Sequence, residues 1–390
     1  MTHSVLDPSP PARAVRASAG AIATTIACVL PVFLVGGLAV QMSDDLHFSP
    51  AGLGLAVSIY FGISALASVP SGALVERYGP AVLARAGILL SAGSLLAVAA
   101  LARSYPILVG LLGLSAAANA LGQLASNAAL ARHVPAHRQG LSFGVKQAAI
   151  PVSTLLAGAA VPTIALTAGW RWAFVAAAVA ALAALPAVPR QEAGRARRAA
   201  RTRAGRATVA LVVVGMAATL AAAAANALGT FVVDSSVGRG LPPGLAGLTL
   251  TLGSAVCVAA RVGAGWLADR RETGHVAVIA GMLVVGAAGL GLLALAGPVP
   301  LVVGVVLGFG LGWAWPGLVN FAVVRLHPQA PAAATSITQT GVYAGGCLGP
   351  LGLGAAAAHL GYPTMWAVAA VAMLLAAALM LTGSRLLTHP

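Results

Sequence analysis

Charge is scarce in this sequence. Only 8% of its 390 residues are Asp, Glu, Lys or Arg, against about 25% in soluble domains, which excludes an ordinary soluble enzyme, a disordered chain and a coiled coil. Acids are scarcer than bases: the eight are Asp7, Asp44, Asp45, Glu76, Glu192, Asp234, Asp269 and Glu272, and none falls in the middle of a long apolar run. There is one lysine, Lys146. The three cysteines, Cys28, Cys257 and Cys347, lie inside apolar runs without paired spacing, so neither a disulfide framework nor a metal site is indicated. A Walker loop, an H-E-x-x-H metal motif, paired deep acids and a nucleophile motif beside a histidine are all missing. No catalytic residue, metal or cofactor is therefore expected, and direct ATP drive is disfavoured.

What is abundant is apolar length. Hydrophobic residues make up 59% of the chain and the mean hydropathy is +0.94. A helix needs about 20 apolar residues to cross a bilayer, and breaking the sequence at its Pro, Gly and charged punctuation leaves twelve segments of that size. Helices are the expectation because lipid cannot satisfy backbone groups, and the runs are too long and uniform for barrel strands. The chain divides into an N-terminal tail (1–18), a first six-helix bundle (19–189), an Arg-rich segment (190–206), a second bundle (207–384) and a C-terminal tail (385–390). The net charge of +14 is placed by the rule that cytoplasmic loops collect Lys and Arg. With the N-terminus inside, only Arg103, Arg171 and Arg239 fall outside, so both termini are expected in the cytoplasm and the membrane is expected to be the cytoplasmic one. The Arg-rich segment then reads as a solvated linker rather than a nucleic-acid site.

The halves share landmarks at one separation. GALVER at Gly72 to Arg77 matches GWLADR at Gly265 to Arg270, 193 residues on; Asn127, Arg132 and Pro135 match Asn320, Arg325 and Pro328 at the same spacing. Gln147 and Gly169-Trp170 match Gln339 and Gly361-Tyr362 at 192. Six crossings per repeat give both copies one orientation, so the halves should be related by a pseudo-two-fold axis along the membrane normal, with a solute site between them at mid-membrane.

At these strings the sequence resembles the major facilitator superfamily over essentially its whole length. Gly72-Ala73-Leu74-Val75-Glu76-Arg77-Tyr78-Gly79 corresponds to that family's signature loop between helices 2 and 3, Gly265 to Arg270 to its copy between helices 8 and 9, and GWRWAF at Gly169 to a recurrent string opening helix 6. The resemblance implies an alternating-access transporter in which Gly72, Glu76, Arg77, Gly265, Asp269 and Arg270 latch the outward-facing state. The first copy departs from the pattern, with Glu for Asp and Pro80-Ala81 where basic residues are usual. Helix 4 also lacks the arginine usual in proton-coupled members, and helix 5 has AGAAVP in place of the antiporter string.

Cations do enter the membrane. Lys146 lies about 9 Å into helix 5, and Arg261 about 12 Å from the Asp269 end of helix 8, and no acid is deep enough to pair with either. Each must face a polar cavity, find a counter-ion or snorkel to the surface. The missing counter-ion can be the solute, a carboxylate held between one cation from each half. The spacing around Arg261 (RVGAGWLAD) resembles oxalate-formate exchangers and monocarboxylate porters, and FGVKQAAIP around Lys146 resembles cyanate and nitrate-type members. Asn119, Gln123 and Asn127 share one face of helix 4, and Gln147, Asn226, Gln339, Tyr60, Trp313 and Tyr343 complete the candidate cavity. The expectation is a monomeric secondary transporter of a small organic anion, by proton symport or anion exchange, with the lipid bilayer as its other partner. An efflux pump for an amphipathic drug, suggested by the small Ala- and Gly-lined helices, is the alternative.

Overall fold

The computed structural model describes residues 10–189 and 206–388. Most of the Arg-rich segment and half of the N-terminal tail therefore lie outside the described residues. The first half holds α1 (Pro10–Gly37), the short α2 (Ala39–Leu46), α3 (Pro50–Tyr78), α4 (Pro80–Leu101), α5 (Tyr105–His133), α6 (Gln139–Ala160), the one-turn α7 (Leu166–Ala168) and α8 (Trp170–Ala183). The second holds α9 (Arg206–Val237), α10 (Pro243–Ala268), α11 (His275–Leu293), α12 (Pro298–Leu307), α13 (Pro316–Leu326) and α14 (Pro331–Thr388).

Eleven helical runs among the described residues are long and apolar enough to cross a membrane, and the last of them, Pro331–Leu386, has 56 residues. At 1.5 Å per residue that is more than twice a bilayer core of about 30 Å. It is broken at Gly361, whose φ of 81° and ψ of 164° are not helical, so α14 supplies two crossings and the total is twelve. Gly169, its repeat mate, has φ 98° and separates α7 from α8 at the corresponding bend. An L side chain adopts that conformation only with strain, so the same glycine is required in both copies.

Punctuation sets the other boundaries. Proline opens α3, α4, α10, α12, α13 and α14, where its missing N–H costs nothing and its fixed φ suits a helix. The Ser49 hydroxyl accepts from Gly52 N at 3.2 Å to cap α3. Two ends differ from the sequence expectation. The first helix begins at Pro10, inside the stretch assigned to the N-terminal tail, and the last continues to Thr388, because helical periodicity extends past the apolar segment where membrane length alone would stop it.

Each half has its own apolar core, built largely from alanine, and the two meet along the interface. Small residues allow the backbone approach that membrane helices use in place of a hydrophobic drive. A Cβ at Gly345 would strike the Thr219 carbonyl of α9 and come within 2.8 Å of Ala222 Cβ. Gly345→Ala is accordingly expected to lower stability by about 1–3 kcal/mol. Gly352→Ala, where a Cβ meets nothing within 4 Å, is expected to be neutral or slightly stabilising. Thermal melts of the two detergent-solubilised variants check this, and equal shifts would refute it.

Candidate functional site between the two halves

The halves touch along α3–α14, α6–α10 and α5/α6–α13, whereas α1 and α9 pack little against each other. At the end of the molecule where the halves join, four glycines bring the helices together. A Cβ at Gly72 would lie 2.9 Å from the Ala332 carbonyl oxygen and 2.9 Å from Ser336 Cβ; one at Gly140 would lie 3.1 Å from Ala268 Cβ; Gly144 and Gly265 approach so closely that a Cβ on either would lie within 3.2 Å of the other's Cα. The contacts continue to mid-molecule, where Phe61 stacks on Tyr343 with centroids 6.2 Å apart and a Cβ at Gly62 would lie 3.6 Å from Cys347 Sγ.

Two acids close this end by the same device. Glu76, at the end of α3, accepts from Ala332 N at 2.8 Å at the start of α14 and pairs with Arg132 at 2.8 Å. Asp269, its repeat mate, accepts from Gly140 N at 2.6 Å and Leu141 N at 2.8 Å at the start of α6. Each carboxylate thus caps the first turn of a helix from the other half, where orphan N–H groups and the positive end of the helix dipole face it. Gly140 and Ala332 are themselves 192 residues apart, so the latch is two-fold.

Lys146 and Arg261 lie deeper, 0% and 2% exposed, and neither reaches bulk solvent. The Lys146 ammonium donates to Gln123 Oε1 and to Asn127 Oδ1 at 3.0 Å, both on α5. Arg261 crosses the interface: Nη1 donates to the Gln147 carbonyl at 2.5 Å, while Nε and Nη2 donate to the Trp313 carbonyl at 3.3 and 3.0 Å. The two cations are thus linked through the residue next to Lys146. Their repeat mates are Thr338 and Ser68, whose hydroxyls return to their own helices, so both charges depart from the internal symmetry. All six described acids lie outside the helices or within three residues of a helix end, and the described partners of the pair are neutral: amide and carbonyl oxygens and the Trp313 ring, 5.9 Å from the Arg261 guanidinium.

Around them, buried polar atoms remain without a protein partner: Asn119 Oδ1, Asn127 Nδ2, Gln147 Oε1, Asn320 Nδ2 and the Tyr343 hydroxyl. Tyr343 lies beside Asn119 and Gln339 without completing a hydrogen bond to either. Of the expected cavity residues, Lys146, Gln147, Asn119, Gln123, Gln339, Tyr343, Arg261 and Trp313 come together here. Tyr60 and Asn226 direct their polar groups to backbone carbonyls of their own half. The Tyr60 hydroxyl donates to the Cys28 carbonyl at 3.3 Å inside the first half, and the Asn226 amide folds back to Ala222 O at 2.8 Å.

Of the expected latch residues, Arg77 and Arg270 turn aside. Arg77 lies over Tyr78 at 5.2 Å and Arg270 over Trp266 at 3.6 Å, aromatic faces that hold a cation locally. Arg132, which was not among the expected latch residues, is the arginine that pairs with Glu76; the signal available was its place in the repeat beside Asn127. Phe61 was also missed, and only its adjacency to Tyr60 marked it.

Removing the charge from a hydrogen bond of this kind costs about 1.5–3 kcal/mol. The double variant Glu76→Gln/Asp269→Asn is therefore expected to open the joined end. Spin labels at Arg138→Cys and Glu272→Cys, both exposed sites, should show a population at longer separation. An unchanged distance distribution would remove these acids from the latch.

A family model described as the Major Facilitator Superfamily matches residues 21–350. No curated protein matches the chain. Among solved structures, the proton:xylose symporter XylE bound to 6-bromo-6-deoxy-D-glucose superposes with a TM-score of 0.80 at 15% identity, covering 96% of each chain. The E. coli fucose:proton symporter FucP gives 0.73 at 14% identity, covering 98% of this chain and 100% of its own. The human organic anion transporter MFSD10 (TETRAN) gives 0.73 at 15% identity, covering 96% of this chain and 100% of its own. These likenesses carry the fold and no substrate, and they do not support the narrower kinship to cyanate, nitrate or oxalate-formate porters. Twelve crossings in two halves, together with a family match through most of both, make this chain a member of the major facilitator superfamily, a membrane transporter and not an enzyme.

Proposed function

We propose that the chain carries a small organic anion by alternating access, and that Lys146 and Arg261 are the groups that select its charge. One observation carries this: two adjoining cations, buried to within 2% of complete, have amide and carbonyl oxygens and the Trp313 ring, 5.9 Å from the Arg261 guanidinium, as their described partners, and no carboxylate. A cation at the centre of a membrane helix costs about 2.5–3.5 kcal/mol even on insertion scales. Neutral dipoles offset part of that, and an anion bound between the two halves would offset the rest. The unpartnered Asn119, Gln147, Asn320 and Tyr343 atoms supply further contacts that a carboxylate or its substituents would complete, with Gln123, Gln339 and Trp313 beside them.

In this account the joined end is cytoplasmic and the opposite end admits solute. The anion enters from the open side and neutralises the pair; the acids then leave the starts of α6 and α14, and the bundles rock. Proton symport and anion exchange both fit this cycle. Two of the superposing structures are sugar symporters and one is an organic anion transporter, and at 14–15% identity none of them decides the substrate.

Uptake into proteoliposomes tests the assignment, with labelled lactate, oxalate and xylose, each with and without a pH gradient. Transport of a carboxylate but not of xylose is expected. Lys146→Gln and Arg261→Gln should each lower carboxylate uptake at least about tenfold, the effect of losing a hydrogen bond to a charged group. Equal uptake of xylose, or full activity in either folded variant, would overturn the anion reading.

A further inference from the structure

A second site lies on the flank of the second half and reaches the interface with the first at Ala268. Between α10, α11 and α13 runs a crevice of about 400 Å³, floored by Ala260, Gly263, Ala264, Met282, Leu311 and Leu318. From Ala268 to Ala260 it follows α10 for eight residues, about 12 Å from the joined end toward the bilayer centre. Its walls are apolar throughout that depth, and its mouth is not. Arg271 and His275 stand there.

Three features of the mouth favour an anion. Arg271 is exposed, and no hydrogen-bond or ion-pair partner of its side chain is described. His275 is 9% exposed and its ring is held edge-on against Phe321 at 4.9 Å, yet its Nε2 has no hydrogen-bond partner. His275 is also the first residue of α11, a 19-residue helix with no side-chain cap, so free N–H groups and the positive end of the dipole face the same point. The charged groups nearest His275 are Arg271, Arg325 and Asp269. Asp269 is engaged with the start of α6, Arg325 lies over Phe321 at 5.3 Å, and Arg270 over Trp266 at 3.6 Å. Glu272, next to Arg271, is exposed, and it and Asp269 are the neighbouring charges that oppose an anion.

We infer that this crevice is a binding site for one anionic phospholipid, its phosphate held by Arg271, His275 and the start of α11, and one acyl chain lying along Ala264, Gly263 and Ala260. A free phosphate would use only the mouth. The apolar depth below it requires a hydrocarbon tail, and burial of each methylene contributes about 0.8 kcal/mol. The site shares no residue with the Lys146–Arg261 pair, so it stands whether or not the cargo is an anion. It borders the loop that carries Asp269, which puts lipid in a position to steady that acid.

Thermal melting and native mass spectrometry of the full chain in neutral detergent test the inference, with dioleoyl-phosphatidylglycerol, dioleoyl-phosphatidylcholine and inorganic phosphate as the three added probes. Phosphatidylglycerol should raise Tm more than phosphatidylcholine and leave one retained adduct, and phosphate should do neither. Arg271→Gln/His275→Gln should abolish the difference between the lipids. Gly263→Leu, placed where a Cβ meets nothing within 4 Å, should abolish it by filling the crevice while leaving the mouth intact. Arg16→Gln, which removes an exposed charge on α1, should leave it unchanged. Equal effects of both lipids, an equal effect of phosphate, or loss of the difference in the Arg16 variant as well would overturn the site, the last by showing bulk attraction to a cationic surface. Retention of the difference in Gly263→Leu would exclude the acyl chain from the crevice and overturn it too.

Discussion

The energetic constraint behind this structure is that a charge inside a membrane needs a partner, and this chain has almost no acids to offer. Its carboxylates stay at helix ends, where Glu76 and Asp269 meet the N–H groups of α14 and α6. Its two deep cations are left to amides and carbonyls. The same scarcity thus gives a closed end held by acids and a middle that is positive and unneutralised. The proposed function rests on that separation: the acids would be released by rearranging backbone contacts, and the cations would be neutralised by an anion brought from outside.

The repeat explains how a latch arises without special design. Two acids 193 residues apart cap two helix starts 192 residues apart, so one interaction made by one half is made again by the other. Glycine makes it geometrically available, because the helices that carry the acids must approach the other half closely at Gly72 and Gly265. Lys146 and Arg261 break the pattern, occupying positions whose mates are Thr338 and Ser68. Asymmetry inside a symmetric frame is where a solute that is itself asymmetric would be read.

Much of the fold was legible in the sequence, since membrane length, punctuation and a fixed repeat separation are properties of the chain alone. The bend at Gly361 was announced by its match to Gly169. The acids of the latch were legible through the family resemblance, but their targets were not, because every residue carries a backbone N–H and sequence does not say which one a carboxylate will meet. The contacts of Arg77 and Arg270 were not legible for a related reason: an adjacent aromatic ring holds a guanidinium locally, and Tyr78 and Trp266 stand beside them. At the candidate site, the shared face of Asn119, Gln123 and Asn127 was readable from the four-residue spacing, and Gln123 and Asn127 prove to hold Lys146. That Asn226 spends its amide on its own helix depends on a rotamer, which periodicity does not encode.

Lys146 is the only lysine in the chain, so protein labelled with ¹⁵N-lysine has one Nζ signal, and that signal reports the centre of the site directly. In lipid nanodiscs, a transported carboxylate should move this resonance in a saturable way, and neutral xylose should leave it in place. A resonance that no carboxylate displaces, or that xylose displaces equally, would contradict the claim that the cargo completes the charge of the Lys146–Arg261 pair.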